Sequence, residues 1–263
     1  MHTEAIFGLT LDNITVFLLS TFRVGGMFVA SPIFGQTTVP TQVKVMLTLM
    51  FGYFLYPLVG TQGFHIDPGL LPLVFVGVKE FMFGLVIGFL FQLIFHGVQF
   101  GGGLLGYQIG YALVNVIDPS TAESVPIIGQ LKLIISTLIF FIIDGHHVVL
   151  QALFESFKVV PLGHVAFNPL AMDAVMHATA AVFVVGIKIA APVLVTLFIT
   201  DICLGILART MPQMNILIVG FQVKIGVGLT MLALGLPFFQ FMFTKVFNQL
   251  SIDAFQITKG FAG

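Results

Sequence analysis

Charge is scarce in this chain. Only 8% of its 263 residues are Asp, Glu, Lys or Arg, against roughly a quarter in an ordinary soluble domain. With 10 basic and 11 acidic residues the formal net charge is -1, so no positive field exists to gather phosphates, and a nucleic-acid partner is excluded. Trp is absent and Tyr is confined to Tyr53, Tyr56, Tyr107 and Tyr111. Spans that face lipid usually carry both at headgroup level, so the shortage hints that much of the surface meets protein instead of lipid. The single cysteine, Cys203, allows no intrachain disulfide, and within its apolar run it reads as a small core residue. Glu4 and Asp12 stand where a secretory signal would have its basic start, so the first apolar run is expected to be retained.

What the chain has is apolar length: 58% of residues are hydrophobic and 30 are Phe. A soluble fold of this size could not hide so much apolar surface. Runs that reach or approach the roughly 20 residues needed to cross a bilayer lie near 14–34, 43–60, 70–96, 131–153, 174–207 and 215–243. The expected fold class is therefore all-α, an integral membrane-type protein with about six long helices, kinked or broken. Turns separate them at Pro32–Pro40, Pro57–Pro72 and Pro161–Pro169. No soluble domain of useful size remains outside the runs, and no fixed-period repeat is visible.

Residues 81–117 carry no Asp, Glu, Lys or Arg. As one straight helix they would extend about 55 Å, beyond a hydrocarbon core of about 30 Å. A break is expected at Gly101–Gly103, where no side chain stiffens the backbone. Gly106 and Gly110, four apart, offer a groove for close helix packing. In the fifth run Pro192 removes the hydrogen bond owed to the Lys188 carbonyl, so a kink is expected. Lys188 and Asp201 lie about 20 Å apart along a continuous helix, too far to pair. Lys79 and Glu80 are neighbours that point in different directions, so partners for these ions must come from other helices or other chains. A salt bridge to a neighbouring subunit is the preferred reading for Glu80, Lys188 and Asp201 over a proton-relay role. Lys44, Lys132, Lys158, Arg209, Lys245 and Lys259 do not fall on alternate connections, so the positive-inside rule assigns no topology.

Catalytic signatures are missing from the sequence: neither H-E-x-x-H nor G-x-S-x-G occurs, and Gly101–Gly103 lacks the Lys and Ser or Thr of a phosphate-cradling loop. The nearest metal-like constellation is Asp144, His146 and His147. Adjacent histidines on a helix are expected to diverge, making a poor clamp, and helix-end hydrogen bonding is the better reading.

Three stretches carry a resemblance together. They are FRVGGMFVASPIFGQTTVPTQVKVML, then GYQIGYALVNVIDP with DGHHVVLQALFESFKVVPLG, and finally LGILARTMPQMNILIVGFQVKIGVGL. The order and extent resemble the FliR family of flagellar biosynthesis proteins, whose relatives serve in virulence type III secretion. R-x-x-P-Q-x-N, formed by Arg209, Pro212, Gln213 and Asn215, is the most specific piece. The resemblance implies a subunit of the flagellar type III export gate in the bacterial inner membrane. One FliR copy joins FliP and FliQ subunits in a helical hetero-oligomer, with FlhB around it, in contact with membrane lipid and passing unfolded flagellar proteins. No cofactor and no enzymatic activity are implied. Residues up to about 165 would be FliP-like and about 174–243 a FliQ-like hairpin with Arg209 and Gln213 at its tip. Gly106 to Pro126 falls where the family has a channel plug: Gly106 and Gly110 would bend, Leu113, Val116 and Ile117 would seal, and Asp118 with Pro119 would end the helix. Lys188, Asp201 and Lys224 are expected as buried charges or subunit contacts, with no catalytic role.

Two other classes remain in view. A secondary transporter would bind a small solute at the broken helix near Lys188 and Pro192, yet it would show an internal two-fold repeat, and none is visible. An intramembrane enzyme lacks its motifs.

Overall fold

The computed structural model describes residues 11–36, 38–59, 70–110, 127–213 and 215–262. Among them lie eight helices: α1 (Leu11–Ala30), α2 (Thr41–Val59), α3 (Leu70–Ile109), α4 (Ile127–Ile142), α5 (Gly145–Val159), α6 (Pro169–Thr210), α7 (Ile216–Leu234) and α8 (Leu236–Lys259). The all-α class is as the composition requires. The six apolar runs become eight helices because two of them are interrupted. One interruption falls at Ile143 and Asp144, where Asp144 takes φ 56°. The other falls at Gly235, where α7 and α8 meet at 56°. By length and composition α1, α3 and α6 can each cross a membrane, and the count rises to five if each interrupted pair is one span. α2 is not among them: it opens on Thr41, Gln42 and Lys44 and closes through Tyr53, Tyr56 and Pro57.

Two expectations are corrected here. The charge-free run does not break at Gly101–Gly103: α3 continues through all three for 40 residues and stops at Gly110. The glycines serve approach instead of bending. A Cβ at Gly101 would overlap the Gly186 carbonyl of α6, and one at Gly102 would overlap the Gly129 backbone of α4. The second concerns Cys203, which is exposed on α6 and not a core residue. α6 itself passes through Pro192 without interruption.

The chain divides into two compact units, each assembled from separated stretches. The first contains α1, α2, the N-terminal part of α3, α5, the start of α6 and the end of α8. Val16, Leu19, Ser20, Arg23, Val24 and Met27 are buried on α1, a three-and-four spacing that forms one helical stripe. That stripe meets α3 at backbone contact, since a Cβ at Gly84 would overlap the Arg23 carbonyl and one at Gly88 the Met27 carbonyl. Small residues four apart let two apolar helices approach this closely. The end of the chain is tied into the same unit. The Asn168 amide donates to the Gly260 carbonyl at 2.7 Å, its oxygen caps α6 through Ala171 N–H at 2.7 Å, and Phe261 packs on Phe83 and Phe167.

The second unit comprises the C-terminal part of α3, α4, most of α6, α7 and the start of α8. Its core is Leu105, Ile109, Ile128, Ala190, Val193 and Leu197. Phe95, Phe140, Phe243 and Phe247 add a run of ring contacts with centroids 5.3 to 6.4 Å apart, within the range aromatic pairs favour. α6 and α7 lie antiparallel: Leu204 meets Gly220, Asp201 meets Lys224, and Leu197 meets Gly228.

Candidate functional site

Two polar clusters are built into these apolar helices. In the first unit the close crossing of α1 and α3 brings Arg23 against Glu80, with Arg23 Nε donating to a Glu80 carboxylate oxygen at 2.6 Å and both side chains fully buried. Arg23 Nη1 donates to the carbonyls of Ser156 and Val160 at 3.1 and 2.8 Å, at the C-terminal end of α5. The other Glu80 oxygen accepts from Gly163 N–H at 2.8 Å. Phe83 and Phe157 lie 4.9 and 4.4 Å from the guanidinium carbon, close enough for cation–π attraction. One ion pair thus holds α1, α3, the end of α5 and the turn after it. Its physical logic is that of any buried charge, since removal from water is tolerated only when partners take up the hydrogen bonds.

In the second unit Lys224 Nζ pairs with Asp201 at 2.5 Å, and the other Asp201 oxygen accepts from the Gln108 amide at 2.8 Å. The α6–α7 hairpin is therefore tied to the last turn of α3. Two residues beyond Gln108, α3 ends at Gly110 with φ +104°, a conformation glycine adopts freely and other residues rarely. Gly110 N–H is shared between the carbonyls of Gly106 and Tyr107, and a Cβ there would crowd the Phe221 ring at 3.1 Å. Gly106 is buried in the same turn.

The expected site residues are thus placed unequally. Gly106 and Gly110 are at the end of α3, close to the Gln108–Asp201–Lys224 network. Leu113, Val116, Ile117, Asp118 and Pro119 lie outside the described residues. Lys188 is exposed on α6 and has no charged partner among the described residues. Arg209 and Gln213 are exposed at the α6–α7 connection. The salt bridges anticipated with a neighbouring subunit for Glu80 and Asp201 are instead made within the chain, because α1 and α7 bring the cations.

Sequence reasoning flagged Glu80 as an ion in need of a partner but did not single out Arg23 as that partner. The signal was available in the small residues one helical turn on: Gly26 lies three residues after Arg23 and Gly84 four after Glu80, at the positions where the helices touch. The histidine reading also changes. The rings of His146 and His147 do not diverge but lie 4.2 Å apart, and His147 Nδ1 is 3.4 Å from Asp144. The Asp144 side chain makes no cap; its backbone carbonyl accepts from His147 N–H at 2.9 Å.

Long apolar helices, three of them among the described residues able by length and composition to cross a bilayer unbroken, define an integral membrane-type helical protein. The family described as "Bacterial export proteins, family 1" matches residues 14–250. Similar proteins include the "Flagellar biosynthetic protein FliR" of Bacillus subtilis (strain 168), 30% identical over 84% of this chain and 86% of that protein. The protein of the same name from Escherichia coli (strain K12) is 25% identical over 92% and 93%, and that from Pectobacterium carotovorum 28% over 87% and 88%. The chain belongs to this export family, that of FliR.

Proposed function

We propose that the chain is a subunit of the bacterial flagellar type III protein-export gate in the inner membrane. It would join FliP and FliQ subunits to form the channel for unfolded flagellar proteins, with FlhB as a further partner. The observation that carries this reading is the family match across 14–250, with relatives 25–30% identical that all carry the name "Flagellar biosynthetic protein FliR". In this reading residues up to about 165 are the FliP-like part, and about 174–243, most of α6 with α7 and the start of α8, form the FliQ-like hairpin. The antiparallel register and the exposed tip at Arg209 and Gln213 support that division. The tip would face partners on the cytoplasmic side.

The segment from Gly106 to Pro126 forms the channel plug in this proposal, and the geometry at its start supports it. The last turn of α3 is held by the Gln108–Asp201–Lys224 network, while the positive φ of Gly110 turns the chain out of the helix. A pinned stem followed by Leu113, Val116 and Ile117 suits an apolar seal. Such a constriction blocks ions by dewetting and yields to an inserted polypeptide. The chain breaks no bond in this role; its contribution is shape and sealing.

The test is assembly and leakage. Expressed alone and with FliP-like and FliQ-like proteins, the chain should give a stable particle only in company. Deleting Leu113–Ile117 should raise ion leakage through the assembled complex in liposomes. A self-sufficient monomer, or saturable transport of a small solute by that monomer, would overturn the gate assignment. Unchanged leakage would remove the plug.

A further inference from the structure

Lys132 sits on α4 with only 6% of its surface exposed, and no carboxylate pairs with it among the described residues. Its Nζ rests over the Phe239 ring at 4.5 Å. That contact offsets part of the cost of taking an ammonium out of water, but a buried cation without an anion remains uncompensated. Lys132 also lines a partly open cavity of about 270 Å³. Its other walls, among them Ile135, Pro192, Val193, Leu236 and Phe238, are all apolar residues or glycine. The cavity lies where α7 gives way to α8 at Gly235, beside the Pro192 turn of α6.

A cation with no carboxylate partner among the described residues, inside an otherwise greasy cavity, recognises a molecule of matching build: one anionic group on an apolar body. A partner helix with its side chains is about 10–12 Å wide and does not enter such a space. A single file of methylenes does. The helices around it include α6, which is long and apolar enough to span a membrane, and the α7–α8 pair, which qualifies as a broken span. The surrounding medium therefore supplies the candidate at high local concentration. We propose that this cavity binds one anionic phospholipid, its phosphate against Lys132 Nζ and an acyl chain along the walls from Pro192 to Phe238. Basic pockets between membrane helices hold anionic headgroups by the same chemistry.

The experiment uses the purified protein in mild detergent, with whatever export components accompany it, titrated with phosphatidylglycerol or phosphatidylcholine. Retained lipid is counted by native mass spectrometry. Wild type should retain phosphatidylglycerol about fivefold more tightly than phosphatidylcholine. Lys132→Met, close in volume and uncharged, should erase that preference, and Lys132→Arg should keep it. Equal retention of the two lipids by wild type, or an unchanged preference in Lys132→Met, overturns the proposal. Loss of associated subunits in Lys132→Met with lipid selectivity intact also overturns it, assigning the cation to a partner's carboxylate.

Discussion

Removing the Glu80 carboxylate is the sharpest perturbation available. In Glu80→Leu the Arg23 guanidinium, fully buried, keeps the Ser156 and Val160 carbonyls but loses its counter-charge. Breaking one side of a buried pair costs about 3–5 kcal/mol. Arg23→Met should cost a similar amount, because the carboxylate would be left with Gly163 N–H as its remaining partner at this site. In the double variant no charge is stranded. What remains is the orphaned Gly163 N–H and the Val160 carbonyl, at about 1–3 kcal/mol each. Ser156 is spared, since its carbonyl also accepts from Val160 N–H. The double variant should therefore lose less than the two singles added, by about 3 kcal/mol. Thermal unfolding of the detergent-solubilised protein, purified with its partner subunits and followed by helical circular dichroism, reads this out. About 3–5 kcal/mol corresponds to a drop in Tm of roughly 6–20 °C for a chain of this size. The absence of Trp makes dichroism preferable to intrinsic fluorescence. Additivity within about 0.5 kcal/mol, or single variants within about 1 kcal/mol of wild type, would refute the claim that this pair holds the first unit together.

Three further outcomes are expected. Gly84→Val drives a side chain into the Arg23 carbonyl and should lower stability by at least about 1–3 kcal/mol, with loss of swimming in a motility assay. Gly205→Ala is the opposite case: a Cβ there meets nothing within 4 Å on a helix, so it should raise stability by about 0.5–1 kcal/mol, measured as a higher Tm. Asp201→Asn removes a salt bridge whose side chains are 34% and 24% exposed, so its stability cost should stay below about 1 kcal/mol. Ion leakage through the assembled complex should rise all the same if the network pins the plug.

The sequence made the helical class and most helix positions legible because apolar runs bounded by proline and glycine leave little else possible. The R-x-x-P-Q-x-N element also reads clearly once its chemistry is seen. Arg209 lies in the last turn of α6, Pro212 follows its end, and the Asn215 side chain accepts from Ile218 N–H to start α7. The Gly235 break was invisible to hydropathy, since Leu234 and Leu236 flank it and no polar residue marks the corner. Gly101–Gly103 misled for a different reason. Glycine permits both bending and close approach, and only the neighbouring helices α4 and α6 decide which. The Arg23–Glu80 pair joins residues 57 positions apart, a distance over which local pattern carries no information about contact.

That separation also sets a timetable. A ribosome adding about 5–20 residues per second releases Arg23 roughly 3–11 s before Glu80, and about 7–27 s before the Val160 carbonyl that lies 137 residues downstream. Until Glu80 is made, α1 bears a cation with none of its eventual acceptors yet synthesised. Entry into a bilayer together with α3 would spare α1 the cost of carrying an unpaired cation into hydrocarbon.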